Sequence, residues 1–166
     1  MKKLLAAATA AAACAILTAV PAQAHEEGAE NPAGPYTGDT VVALAEARAG
    51  TARFQNVDAA EAAGFVPVSP CVSHPTEGAM GVHYVNFGRV DATLTPAEPE
   101  ALVYLPGDNG RLRLVAVEYM TVAPAHFPGG LHTEPPHAVP FHTLHAWVWK
   151  NNPSGMFAGF NPSISC

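Results

Sequence analysis

From Thr40 to Ala63 the chain reads as helical: Val41, Leu44, Ala45, Arg48 and Ala52 follow a spacing of three to four. Gly50 and Thr51 offer a point at which two helices divide. Asp58 is a candidate N-cap for the second, with Glu61 at the capping-box distance, and Gly64 is a natural residue for a helix C′ position. From Phe65 the period changes. Short runs rich in valine, tyrosine and leucine, punctuated by proline and glycine, predict strands over 81–87, 101–105, 112–122 and 141–149. Pro106-Gly107-Asp108-Asn109-Gly110 reads as a hairpin turn between two of them. Along the third strand, Val115, Val117 and Tyr119 should face away from Leu112, Leu114, Ala116 and Met120. Both faces are then largely apolar, which predicts a sheet covered on each side. The fold class expected is α+β: an N-terminal helical segment packed on a mainly antiparallel sheet of about four or more strands.

Between the strands, Pro124 to Pro140 holds five prolines, two glycines and three histidines without periodicity, and reads as an ordered surface loop. Asn152-Pro153 and Asn161-Pro162 read as turn starts; the proline rules them out as glycosylation sequons. Trp147 and Trp149 alternate along the last strand and are expected to pack on one side of it.

The chain begins with Lys2 and Lys3, an apolar run from Leu4 to Val20, then Pro21 and the small-x-small pattern Ala22-Gln23-Ala24. This reads as a signal peptide over 1–24, followed by a flexible arm over 25–39 and one globular domain over 40–166. The expected location is secreted or periplasmic, with no stable membrane insertion after cleavage. Lipid anchoring through Cys14 is the alternative. After cleavage six of the eight basic residues remain against all fourteen acidic ones, a formal charge of −8. That excludes nucleic acid as the main partner, because binding it needs a basic surface. It fits a soluble protein or one that attracts cations; a metal ion or small ligand is a candidate partner, and a protein partner is left open.

Cys71 and Cys166 are the cysteines that remain, and in an oxidising compartment they predict a disulfide closing a 94-residue loop. The chain-entropy model values such a loop at roughly 4–5 kcal/mol, before any native strain is subtracted.

His83, Glu118 and His145 stand in strand sequence with apolar neighbours. Two imidazoles and a carboxylate on one sheet face can bind a divalent transition metal such as zinc or copper with positions left for water. The same residues can also act as acid and base in a hydrolase, or be incidental to a structural or interaction protein. In that last case Glu118 pairs with Arg89, Arg111 or Arg113, or accepts bonds from tyrosine hydroxyls. An ionised carboxylate within Leu114-Val115-Ala116-Val117-Glu118-Tyr119-Met120 needs a partner or a raised pKa. His126, His132, His137 and His142 form a second group suited to metal loading or pH sensing. His25, the first residue after the expected cleavage, offers its amine and ring for copper. No nucleophile elbow, phosphate-cradling loop or cysteine–histidine pattern names a reaction.

The motifs Gly78-Ala79-Met80-Gly81-Val82-His83-Tyr84-Val85-Asn86, Leu114-Val115-Ala116-Val117-Glu118-Tyr119, Leu144-His145-Ala146-Trp147-Val148-Trp149 and Asn152-Pro153-Ser154-Gly155-Met156-Phe157 resemble a group of small secreted bacterial proteins of uncharacterised function. The likeness runs from about Arg48 to Cys166. It implies a single exported domain and transfers no catalytic residue.

Overall fold

The computed structural model describes residues 36–107, 110–136 and 139–166. The expected signal peptide with Cys14, most of the expected arm with His25, and His137 lie outside these residues, as do Asp108 and Asn109 of the hairpin turn.

Helix α1 spans Gly38–Thr51, two residues earlier than the periodicity predicts. The Thr37 side chain caps it by accepting the Thr40 N–H, and Asp39 in the first turn suits the positive end of the helix dipole. Its inward stripe is Thr40, Ala43, Leu44, Ala47 and Thr51, whereas Val41 stays 55 % exposed. The apolar spacing is thus rotated from the one expected. Small alanine and threonine side chains make the contact surface and let the helix lie close to the sheet. A 3-10 turn over Ala52–Gln55 separates α1 from α2 (Val57–Ala62). The N-cap of α2 is Asn56, whose side chain accepts the Asp58 N–H, so the expected cap at Asp58 is two residues late. Gly64, at φ +90°, ends the helix as expected.

Among the described residues eight strands follow: β1 (Val66–Pro67), β2 (Val72–His74), β3 (Gly78–Val85), β4 (Ala101–Pro106), β5 (Leu112–Thr121), β6 (His126–Phe127), β7 (Leu131–His132) and β8 (His142–Ala146). Six of them form one antiparallel sheet in the order β1-β3-β4-β5-β8, with β2 also paired to β3. The segment expected to be an ordered surface loop contains the β6–β7 ribbon.

A bulge corrects the expected facing of β5. Val103 pairs with Ala116, but Tyr104 pairs with Leu114, so Val115 is an extra residue. Beyond it the pleat inverts. Leu112 and Leu114 share the face of Val117 and Tyr119, together with Leu102, Tyr104, Leu144 and the helical residues Ala43, Leu44 and Phe54. The opposite face carries two smaller apolar groups. One is Val103, Val115, Ala116 and Trp147; the other is Val85, Ala101 and Met120. The last strand also ends sooner than expected. After Ala146 the chain turns, so Trp147 packs on this second face, whereas Trp149 packs on the helix side and donates its indole N–H to Thr51.

The C-terminal segment reaches the second face. Ala79 and Asn161 exchange two backbone hydrogen bonds, and Trp147 donates through Nε1 to the Ala158 carbonyl. Asn152 and Asn161 each accept the N–H two residues on, which makes both expected turn starts. The Cys71–Cys166 disulfide forms, with Cα atoms 5.6 Å apart, and fastens the end of this segment beside β2. Among the described residues no helix is long and apolar enough to cross a membrane.

Candidate functional site

The pleat brings His83, Glu118 and His145 to the second face. Val85, Ala101, Glu118 and His145 lie in one cross-strand row, and His83 pairs with Val103 in the next. Glu118 therefore faces His145 directly, at the roughly 5 Å separation of adjacent strands. His83 is two strands from Glu118. It reaches across because β4 presents only Ala101 and Val103 beneath it, and Ala116 precedes Glu118 on the same face. The acid thus stands between the two small apolar groups, with a ring arriving from either side.

His83 Nε2 lies 3.6 Å from a Glu118 carboxylate oxygen. The two imidazole centroids are 6.0 Å apart with planes 25° from parallel. His83 and His145 are 8 % and 6 % exposed, and the Glu118 side chain 16 %. The alternative partners of Glu118 are engaged elsewhere. Arg89 donates to the Pro99 carbonyl and lies over the Phe65 ring. Arg111 and Arg113 are exposed at the far end of β5, and the Tyr104 and Tyr119 hydroxyls bond Phe54 and Pro96 on the helix side.

Burial sets the charge states. It lowers His83 to about 4. It lowers His145 to about 3, with His83 adding to the effect. It raises Glu118 to about 7, opposed by a hydrogen bond from Thr143 and reinforced by the nearby charge of Glu134. At neutral pH both rings are therefore neutral and the carboxyl is near its midpoint. The 3.6 Å contact is too long for a good hydrogen bond and lacks a charged imidazole, so it is not an ion pair there.

The hydrogen bonds also fix one tautomer. His145 Nδ1 lies 2.9 Å from the Gly159 carbonyl, which can only accept, so Nδ1 carries the proton. Its Nε2 then presents a lone pair, and that buried atom makes no hydrogen bond. On His83, Ser69 Oγ lies 3.2 Å from Nδ1 and accepts the His83 backbone N–H. Sequence reasoning missed these supports. Nothing in the local sequence marks Ser69, Thr143, Glu134 or Gly159 as neighbours of strand residues so far away. It also missed a second buried acid, Glu100, whose carboxylate accepts the Met120 N–H and whose pKa burial raises to about 7. Glu100 ties β4 to the end of β5.

The other expected histidines do not join this cluster. His126 and His132 pair with each other across the β6–β7 ribbon, and His142 opens β8 with a buried Nδ1 that makes no hydrogen bond. Among the described residues, no group of three or more histidine, cysteine, aspartate or glutamate side chains is arranged to hold a metal ion. No protein-family model matches the chain, and neither a curated protein nor a solved structure is significantly similar to it.

Proposed function

We propose that this protein works outside the cytoplasm by binding a divalent transition-metal ion at His83, Glu118 and His145. The observation that carries the reading is the bare, buried Nε2 of His145, with its Nδ1 proton held by the Gly159 carbonyl. A ring nitrogen fixed in this way is how metal-binding histidines are oriented. The surroundings favour a cation as well. Two imidazoles kept neutral by burial stand beside a carboxyl whose pKa burial raises.

Binding requires a small closure. Two rings on one tetrahedral ion place their centroids roughly 5 Å apart. From the present 6.0 Å, the centroids must approach by about 1 Å and the near-parallel rings must turn their Nε2 atoms toward a common point. Zinc suits two imidazoles and a carboxylate with a water position left open. The disulfide and the expected export signal support an extracytoplasmic site of action.

A second reading is favoured by the Glu118 pKa of about 7: a metal-free acid–base site in which Glu118 exchanges a proton with a bound ligand beside neutral His83. Equilibrium dialysis against zinc separates the two. The metal reading expects one ion per chain, lost in His145→Ala and retained in Ser154→Ala. No bound zinc in the folded wild-type chain overturns it and leaves the acid–base reading.

A further inference from the structure

The β6–β7 ribbon carries a second arrangement of imidazoles, remote in role from the central cluster. His126 and His132 are directly opposite one another, and both are exposed. The Thr133 N–H donates to the Ala125 carbonyl in the neighbouring row. Because antiparallel rows alternate, this makes His126 and His132 a non-hydrogen-bonded pair, the kind whose side chains come closest. Their ring centroids are 4.5 Å apart and their planes 66° from parallel.

The ribbon beneath them is firmly held. Phe127, next to His126 and opposite Leu131, is 1 % exposed and packs edge-on against Phe157 and at a tilt against Tyr119. Thr40 Oγ1 donates to the Pro128 carbonyl at the turn. Thr133 Oγ1 accepts the Ala125 N–H at the open end. Two rings on an anchored ribbon lose little further freedom on binding, which favours chelation.

The spacing selects the ion. A metal about 2 Å from a ring nitrogen lies about 3.2 Å from that ring's centroid. The rings now meet edge to face; once each turns a nitrogen toward a common point, centroids 4.5 Å apart subtend about 90° at a shared ion. That is nearer the cis angle of a tetragonal site than the tetrahedral angle zinc prefers. Imidazole ligands in square-planar or tetragonal array select Cu²⁺ or Ni²⁺. The acidic chain, with a formal charge of −6, adds a long-range attraction for a cation.

We infer that His126 and His132 form a surface chelate for a tetragonal divalent ion, Cu²⁺ or Ni²⁺, whose other positions are filled by water. The inference does not depend on metal binding at His83, Glu118 and His145.

The test is a Cu²⁺ titration of the ¹⁵N-labelled full chain followed by amide line broadening. Broadening of the Phe127, Gly129, Gly130 and Leu131 signals at substoichiometric Cu²⁺ is expected, wherever else the ion also binds. In His126→Ala or His132→Ala alone, the Cu²⁺ concentration needed for that broadening should rise at least fivefold. The double variant should add little to either single change, because a chelate is lost with its first ligand. Both residues are exposed, so the variants are expected to fold, and the wild-type broadening map needs no variant. A ribbon unaffected at equimolar Cu²⁺, or a rise under fivefold in either single variant, overturns the inference.

Discussion

Replacing Glu118 by glutamine gives a direct measure of what the buried acid does to the fold. In the unfolded chain a glutamate titrates near 4.5, and in the native state Glu118 titrates near 7. Between those values the native state holds a proton that the unfolded state has released. Stability must therefore fall as pH rises through this window. With those two values the penalty is about 1 kcal/mol at pH 5 and about 3 kcal/mol at pH 8. The side chain is only 16 % exposed, so solvent screening removes little of it. The substituted glutamine does not titrate, so its own packing effect is the same at both pH values. The stability of the variant relative to wild type should then improve by about 2–3 kcal/mol between pH 5 and pH 8, in metal-free buffer. The measurement is urea unfolding of both proteins at the two pH values. His83 and His145 have lowered pKa values, so they contribute an opposite loss as pH falls below 6.5, and this loss is common to both proteins. Glu100 adds a pH-dependent loss of the same sign as Glu118, again common to both. A difference between variant and wild type that does not change with pH would refute the claim that Glu118 is buried without a compensating charge.

Two further changes test the scaffold. Cys71→Ser opens the 94-residue loop closed by the disulfide and should lower the urea-unfolding stability by about 2–5 kcal/mol, so a loss under 1 kcal/mol would show that the bridge contributes little. Gly78→Ala should destabilise by about 2–4 kcal/mol in thermal or urea unfolding, because φ is +93° and the new Cβ would meet the Asn161 carbonyl; Gly110→Ala, with φ +73° and open space around it, should lose only about 1 kcal/mol. Equal losses at the two glycines would mean that the contact between β3 and the C-terminal segment is unimportant.

Much of this architecture is legible in the residue pattern, and the misreadings have identifiable causes. The runs around Val103 and Val117 are apolar, rich in valine, leucine and tyrosine, and separated by a turn sequence, so β4 and β5 are predicted nearly to the residue. The bulge at Val115 is not, because one extra residue in an all-apolar run leaves no alternation to read. The same lack of alternation puts Leu112 and Leu114 on the wrong face in a reading from sequence. The helix stripe is displaced because α1 leaves Val41 and Val42 exposed while burying mostly less apolar alanine and threonine, so hydrophobicity alone points away from the buried face. His83, Glu118 and His145 share a face because each fits the strand period in its own segment. Their convergence depends on the small residues Ala101 and Val103 between them, which only the pairing register shows. The tautomer of His145 depends on Gly159, fourteen residues further on in a segment without periodicity. No local pattern can report such a contact.

The central claim concerns the state of one nitrogen, and ¹⁵N NMR of the histidine rings observes it. In metal-free protein at pH 7, His145 should be neutral, with Nδ1 protonated and Nε2 showing the shift of an unbonded, unprotonated nitrogen. One equivalent of zinc should move the Nε2 resonances of both His145 and His83 to metal-bound positions, while their Nδ1 resonances change little. If both Nε2 resonances stay where they were with zinc in excess, or if His145 proves to be protonated at Nε2, the account of this site is contradicted.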